Sequence, residues 1–226
     1  ATITNPIKTN LLTNLLIDKT MPNWCWTSYV AVGDKKDIRD LYKKMKSLED
    51  SEKSLIENGF GNTWLGNLVT ILGGDYHKIS CRGEFGNLSI NHNYTVVRFD
   101  TMTAWGEFDD LRKFIQFKYP SVFIYYRSEE PGMGYYGTND VNSEYLPRIK
   151  VEEGYQESYY YSNWEEVFQF LSEKIGTEIH SMEEMNRLLD IYNTEHDDDS
   201  ILVIEFRLDK DCSDVADRLS DKYLSV

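Results

Sequence analysis

The sequence has few of the residues that build small catalytic or metal centres. Its 226 residues include three cysteines, widely separated and without a C-x-x-C pair, which excludes a zinc ribbon and a dithiol redox motif. The four histidines form no H-x-H or i,i+4 pair, and no G-x-S-x-G or H-E-x-x-H motif occurs. These absences predict reduced structural thiols, no catalytic residues, no metal and no cofactor. They favour a protein without enzymatic activity and leave an enzymatic role open.

Long hydrophobic runs and an excess of basic residues are also missing. The apolar run from Val122 to Tyr126 is far shorter than the roughly 20 residues of a membrane-spanning helix. The first 20 residues lack the apolar region and cleavage site of a secretory signal, so we expect a soluble, cytoplasmic protein with no membrane contact. The formal net charge is −14, from 38 acidic and 24 basic residues. Because such a surface repels phosphate backbones, we expect no nucleic-acid partner.

The acidic residues are concentrated towards the C-terminal end. Residues 180–226 contain 13 acidic and 5 basic side chains, so they carry −8 of the total charge. A surface of this kind suits a basic protein partner, and it also promotes solubility. The chain has 41% hydrophobic and 14% aromatic residues, which is enough to form a folded core.

Hydrophobic periodicity predicts alternating strands and helices in the first part of the chain. Apolar residues at 3.6-residue spacing indicate helices from Asp34, after a cap at Asn62 or Thr63, and from Glu107 to Lys118. The predicted strands cover residues 24–33, 77–90, 94–101 and 121–128. The resulting order, β-α-(α)-β-β-α-β, is that of a ferredoxin-like α+β fold, an antiparallel sheet with helices packed on one face.

The rest of the chain predicts an extension of this fold. Residues 145–152 and 155–161 have strand character and are expected to extend the sheet. A tail of helix, helix, strand and helix follows, and its first two helices open with the capping boxes Ser162-Asn-Trp-Glu165 and Ser181-Met-Glu-Glu184. We therefore divide the chain into an N-terminal extension (1–20), a ferredoxin-like domain (21–162) and an acidic C-terminal α/β extension (163–226). Whether the last is an independent domain stays open.

The segment Gly132-Met-Gly134-Tyr-Tyr-Gly137 satisfies the dinucleotide pattern G-x-G-x-x-G. A dinucleotide site needs a helix that opens on the glycines, but the following residues have no apolar stripe and Pro147 closes the segment. Three glycines near a strand instead mark a bulge or bend where a side chain would collide. We therefore predict that at least one of them has a positive φ or packs against an aromatic ring.

Four blocks of the sequence resemble the YubB-like ferredoxin-like domain family of plasmids, phages and integrating elements. In chain order they are Met21-Pro-Asn-Trp-Cys25, Phe99-Asp-Thr-Met-Thr-Ala-Trp105, Tyr119-Pro120 and Glu130-Pro-Gly-Met-Gly134 with Gly137, within about residues 21–165. The chain departs from the family at Thr27, where Asn is usual, and by two residues inserted before Trp105. Since family members commonly begin at the first block, either residues 1–20 are an added arm or Met21 is an alternative start. The resemblance implies a ferredoxin-like fold and a mobile-element origin, but no activity.

Two functional hypotheses follow from the sequence. The first is a non-enzymatic protein-interaction module that binds a host or element-encoded protein. The alternative is an uncharacterised enzyme or small-ligand-binding domain with a pocket near Trp105, Glu130 and Gly134. Glu130 either receives the donor groups of a ligand or binds backbone amides at the glycines. Trp24 and Trp26 share one face of a strand, where we expect core packing, with a protein-binding patch as the competing interpretation.

Overall fold

The structure, a computed structural model, describes residues 22–154, 157–196 and 198–209. Within these residues the chain forms a mixed α+β fold with five α-helices, a six-stranded mixed sheet and a three-stranded antiparallel sheet. The helices are α1 (Lys35–Glu49), α2 (Leu65–Ile71), α3 (Asp109–Lys118), α4 (Trp164–Ile175) and α5 (Met182–Glu195). The strands are β1 (Trp24–Val32), β2 (Gly83–Ile90), β3 (Val96–Ala104), β4 (Phe123–Glu130), β5 (Tyr135–Thr138), β6 (Ile149–Glu153), β7 (Glu157–Tyr161), β8 (Ile201–Glu205) and β9 (Arg207–Leu208).

The six-stranded sheet has the order β2-β3-β1-β4-β5-β9. All neighbouring pairs are antiparallel except β5 and β9, which pair in parallel. The prediction that the first four strands share one antiparallel sheet is therefore confirmed. The prediction that residues 145–152 and 155–161 extend this sheet is wrong, because β6 pairs with β7 and β8 in a second sheet of order β7-β6-β8.

Helices α1 and α3 cover one face of the large sheet. The buried stripe of α1 consists of Ile38, Leu41, Met45 and Leu48, as the periodicity predicts. It packs in one core with Leu111, Phe114 and Ile115 of α3 and with the sheet residues Tyr29, Ala31, Val97 and Ile124. Because side chains alternate along β1, the opposite face carries Trp24, Trp26 and Ser28. The face on which a strand residue lies therefore determines whether its side chain is packed against α1 and α3.

A second core lies between the small sheet and the last two described helices. Its buried members are Ile149, Val151, Val167, Leu171, Ile179, Met185, Leu189 and Ile201. This core begins with β6, whose Ile149 and Val151 are buried against α4 and α5, while Tyr161 of β7 packs partly buried against it. This packing explains why β6 and β7 leave the first sheet. The core therefore starts upstream of residue 162, and the division of the chain into domains stays a prediction.

The N-terminal residues of the helices can be compared with the predicted caps. Ser181 caps α5 as expected, because its hydroxyl accepts the amide of Glu184 at 3.2 Å. At α4 the cap lies one residue later than predicted: Asn163 accepts the amide of Glu166 at 2.9 Å, and the Glu166 carboxylate accepts the amide of Ser162 at 3.1 Å. Helix α2 starts after Trp64 without a side-chain cap, so the predicted cap at Asn62 or Thr63 is wrong. The final predicted helix lies outside the described residues.

Candidate functional site

The turn between β4 and β5 contains two of the three predicted site residues. Glu130 ends β4, and its carboxylate accepts the backbone amides of Gly132 at 2.9 Å and Met133 at 2.8 Å. These bonds cap a 3-10 turn over Pro131–Met133, which Gly134 ends with a φ of +64°. These hydrogen bonds stabilise the turn. Glu130 is only 2% exposed, so its carboxylate is turned away from solvent. Of the two roles considered for Glu130, the structure shows backbone binding.

The glycines of this segment have the structural features that the sequence predicts. Gly134 adopts the left-handed region, and a Cβ on Gly137 would lie 2.6 Å from the hydroxyl oxygen of Tyr135. They form a tight turn between two strands instead of a bulge within one strand, because the chain returns as β5 beside β4. A strand also follows Gly134 in the position where a dinucleotide fingerprint has a helix.

Replacing Gly134 with alanine should lower the free energy of unfolding by about 1–2 kcal/mol, because an L-residue is strained at positive φ. No atom lies within 4 Å of the point where the new Cβ would stand, so backbone strain is the expected cause rather than a collision. Gly134→Asn is the control and should lose less, since asparagine tolerates this region. Urea unfolding measures both variants, and an alanine variant as stable as the parent would refute this explanation.

Asn23 connects the turn with Trp105, the third predicted site residue. The backbone carbonyl of Asn23 accepts the amide of Trp105 at 2.8 Å. The side-chain amide of Asn23 lies against Gly132, where an added Cβ would be 2.9 Å from Nδ2. The structure thus brings Trp105 and the glycine turn to the same end of the sheet, with Asn23 between them. No local pattern in the sequence singles out Asn23 for this role.

Three tryptophans and a methionine are exposed at this end of the sheet, and we call these residues the tryptophan surface. The exposed fractions are 38% for Trp24, 45% for Trp26, 46% for Trp105 and 56% for Met133. The expectation that Trp24 and Trp26 pack in the core is therefore wrong. They lie on the face of β1 that α1 and α3 leave uncovered, where Trp24 contacts Phe60 edge-to-face at 6.3 Å between ring centroids.

On the opposite face of the same strands, small polar side chains form a buried group that we call the hydroxyl cluster. Ser128 Oγ lies 2.8 Å from Thr27 Oγ1 and 3.0 Å from Cys25 Sγ. Thr101 is paired with Thr27 across β1 and β3, and its buried hydroxyl has no hydrogen-bond partner within the described residues. All four members are at most 2% exposed. Buried hydroxyls normally find a partner, which makes Thr101 an exception.

A buried ion pair lies on the same side of the sheet. Arg112 Nε donates to Glu107 Oε1 at 2.9 Å, and the side chains are 8% and 4% exposed. The hydroxyl of Tyr29 donates to the same carboxylate oxygen at 2.9 Å. The guanidinium of Arg112 also lies 4.7 Å from the ring centroid of Tyr126. Burial raises the pKa of Glu107, whereas Arg112 and Tyr29 act to lower it.

The thiols near these groups are poorly suited to nucleophilic chemistry. Burial raises the pKa of Cys25, and the hydrogen bonds from Ser128 and Thr27 only partly offset it. Burial likewise raises the pKa of Cys81 to about 12. Since the thiolate is the reactive species, both side chains stay protonated near neutral pH. Cys212 lies outside the described residues.

The two cores meet through charged and aromatic side chains on the uncovered face. Lys150 of β6 lies 2.6 Å from a carboxylate oxygen of Glu129 and 2.6 Å from one of Glu152. The hydroxyl of Tyr160 donates to Glu129 at 2.8 Å, and the guanidinium of Arg127 lies 3.8 Å from the Tyr160 ring centroid. Burial alone would lower the pKa of Lys150, but its hydrogen bonds to Glu129 and Glu152 raise it overall. Glu129 and Glu130 therefore have separate roles on opposite faces, as strand geometry predicts.

Metal-binding clusters and membrane-spanning helices are both absent from the part of the chain that the structure describes. No group of three or more His, Cys, Asp or Glu side chains there is placed to hold a metal ion. None of the helices in those ranges has the length and apolar character needed to cross a membrane.

No family model, curated protein or solved structure matches the chain. The resemblance to the YubB-like family therefore stays a prediction that rests on its four sequence blocks. The same holds for a ligand-binding role of Trp105, Glu130 and Gly134, although the structure shows where each residue lies.

Several residues of this region carry no signal in the sequence. Thr27 stands out there only as a departure from the family pattern, and Ser128, Arg112 and Lys150 do not stand out at all. The alternation along β1 shows that Cys25 and Thr27 share a face. It does not show that Ser128 lies beside them, because that contact depends on the pairing of β1 with β4.

Proposed function

We propose that this chain is a non-enzymatic protein-interaction module of a mobile genetic element, built on a ferredoxin-like sheet. The tryptophan surface is its docking site, and the partner is a segment of another protein that carries basic and apolar side chains. The exposure of Trp24, Trp26, Trp105 and Met133 at one end of the sheet carries this proposal. Exposed clusters of large apolar side chains mark interaction sites, and tryptophan is enriched among the residues that dominate binding energy.

The charge around the tryptophan surface supports a basic partner. In the pairing across the sheet, Trp26 lies beside Met102, and Met102 lies beside Glu84. Glu84 is thus in the same cross-strand row as Trp26, two strand spacings or about 10 Å away. A lysine or arginine of the partner would meet an aromatic ring face with a carboxylate nearby, which favours a cation. The net charge of −14 would also speed the encounter with a basic protein.

The alternative, a ligand pocket at Trp105, Glu130 and Gly134, has less support. Both carboxylate oxygens of Glu130 already accept amides of the turn. A ligand at Glu130 would have to compete with these bonds, which also hold the backbone around Gly134. The aromatic side chains next to the turn are suited to contact a polypeptide. The carboxylate of Glu130, which already accepts two amides, is poorly suited to bind a small polar ligand.

A random peptide library displayed on phage tests the proposal. Peptides selected on the full chain should contain lysine or arginine together with apolar residues. Trp26→Ala should weaken their binding by about tenfold or more, equivalent to about 1.4 kcal/mol. Phe123→Ala is the matched control, because Phe123 is 49% exposed on the same face of the sheet but pairs with Val32 at the opposite end.

Two outcomes would count against this function. One is a selection that yields no enrichment of basic residues. The other is a set of peptides that bind the Trp26→Ala and Phe123→Ala variants equally well. Circular dichroism of both variants checks that the fold is retained, so that a loss of binding reports the surface alone.

A further inference from the structure

Helix α1 is basic in an otherwise acidic protein. Its sequence, KKDIRDLYKKMKSLE, contains six basic and three acidic residues, a net charge of +3, whereas the whole chain carries −14. The buried stripe of Ile38, Leu41, Met45 and Leu48 fixes which side of the helix faces the core. The charged residues therefore lie on the outer side of the helix. Their contacts with neighbouring groups determine which charges remain available to a partner.

The acidic residues of α1 are engaged by neighbouring groups. Asp40 accepts the hydroxyl of Tyr119 at 2.7 Å and pairs with Lys44 at 2.8 Å. These two hydrogen bonds, from Lys44 and then Tyr119, lower the pKa of Asp40. Asp37 accepts the hydroxyl of Ser121 at 2.8 Å. The carboxylates of Asp37 and Asp40 are thus held by this chain, and three other cations of the helix form no salt bridge within the described residues.

Lys36, Arg39 and Lys43 are these cations. All three are exposed, and none forms an ion pair within the described residues. Their spacing of three and four residues places them on one side of the helix, over about 10 Å along its axis. They line a surface groove together with Asp37, Asp40 and Tyr119. An exposed row of cations without salt bridges is a suitable partner for negative charge.

Tyr94 adds an aromatic ring next to this row. Lys35 Nζ lies 5.3 Å and the guanidinium carbon of Arg39 4.9 Å from its ring centroid. Tyr94 has a φ of +59°, which is strained for a non-glycine residue, and it is 40% exposed. Strained residues of this kind concentrate at functional sites. The ring thus contacts Lys35 and Arg39, and Arg39 also lines the groove.

We propose that the basic surface formed by Lys35, Lys36, Arg39, Lys43 and Tyr94 binds an acidic segment of a polypeptide. This role does not depend on the tryptophan surface. That surface lies at one end of the sheet and is proposed to bind a basic segment, whereas the basic surface lies on α1. An extended chain advances about 3.3 Å per residue and its alternate side chains share one face, so carboxylates two residues, or about 6.6 Å, apart can meet successive cations of a row about 10 Å long.

An acidic polypeptide fits this surface better than a nucleic acid does. The carboxylates of Asp37 and Asp40 lie among the cations, and they would repel a phosphate backbone with its closely spaced charges. The total charge of −14 adds repulsion at longer range. A peptide whose carboxylates are spaced further apart avoids the first effect, because each carboxylate can contact a cation without lying beside Asp37 or Asp40. The peptide also carries fewer charges per unit length than a nucleic acid, so the total charge of the chain repels it less strongly.

Fluorescence anisotropy with labelled peptides tests this inference on the full chain. The probes are a peptide of alternating glutamate and serine, the same peptide with glutamine in place of glutamate, and a single-stranded oligothymidylate. We expect binding of the glutamate peptide alone, weakened by added salt. The variant Lys36→Glu with Lys43→Glu should weaken this binding by about tenfold or more. The control, Lys53→Glu with Lys78→Glu, changes the net charge equally at exposed sites and should alter binding by less than about twofold.

Three results would overturn the inference. The first is no binding of the glutamate peptide at low salt. The second is an equal loss of binding in the two charge-reversal variants, which would mean that net charge alone is responsible. The third is tighter binding of the oligothymidylate, lost in Lys36→Glu with Lys43→Glu, which would assign the surface to nucleic acid. Thermal unfolding of both variants verifies that the surface changes leave the fold intact.

Discussion

Replacing Arg112 with methionine should lower the free energy of unfolding by about 3–5 kcal/mol, because it leaves the buried carboxylate of Glu107 without its cationic partner. Glu107 has a side chain only 4% exposed, and Arg112 is its cationic partner at 2.9 Å. Methionine keeps much of the side-chain volume, so the loss reports mainly the charge. Urea unfolding followed by tryptophan fluorescence measures it. The double variant Glu107→Gln with Arg112→Met should recover part of the loss, because it removes the unpaired charge.

The loss in Arg112→Met should also depend on pH. Burial raises the pKa of Glu107, and without Arg112 that pKa rises further. A carboxyl group with a raised pKa in the folded state favours folding when protonated, and this contribution is lost as pH rises through the folded pKa. The variant should therefore be closest to the parent in stability at pH 5 and furthest from it at pH 8. A difference that stays constant across this range would show that Glu107 does not cause the loss.

Replacing Lys150 with methionine should lower the free energy of unfolding by about 3–5 kcal/mol, because Glu129 and Glu152 lose their shared cation at the junction of the two cores. The Lys150 side chain is 7% exposed and that of Glu129 is 11% exposed, so water screens the remaining charges poorly. We expect hydrogen exchange to become faster in β4 and β6, on both sides of this contact, before global unfolding.

Lys174→Met is the matched control for this experiment. Lys174 forms an ion pair with Glu153, but its side chain is 35% exposed, and exposed pairs contribute about 1 kcal/mol or less. A loss of similar size in the two variants would contradict the role assigned to Lys150. Faster exchange confined to the second core would likewise show that the contact with Glu129 does not hold the two cores together.

Local periodicity predicted the parts of the fold that depend on neighbours in sequence. The stripe of α1 and the strand order to β4 are recognisable because an apolar side chain recurs with the period of each element. The turn at Gly134 was also recognisable, since glycines are costly in a strand unless the backbone requires them. The role of Glu130 was among the predicted alternatives because it directly precedes that turn.

Properties that depend on distant partners were predicted less well. The alternation of β1 shows that Trp24 and Trp26 share a face, but it does not show that α1 and α3 cover the opposite one. Core packing was therefore expected for two side chains that are 38% and 45% exposed. Likewise, β6 and β7 have the same strand character as members of the first sheet, and only the pairing of β6 with β8 separates them.

By itself the sequence determined the α+β class, the helical stripes, the order of the first four strands and the structural role of the glycines. Each of these is set by backbone preference and side-chain period over a few residues. The tertiary structure alone decided that Thr27, Ser128 and Cys25 meet, that Arg112 pairs with Glu107, and that the tryptophans face outward. These contacts join residues far apart in the chain, and their energies depend on burial, which no local pattern specifies.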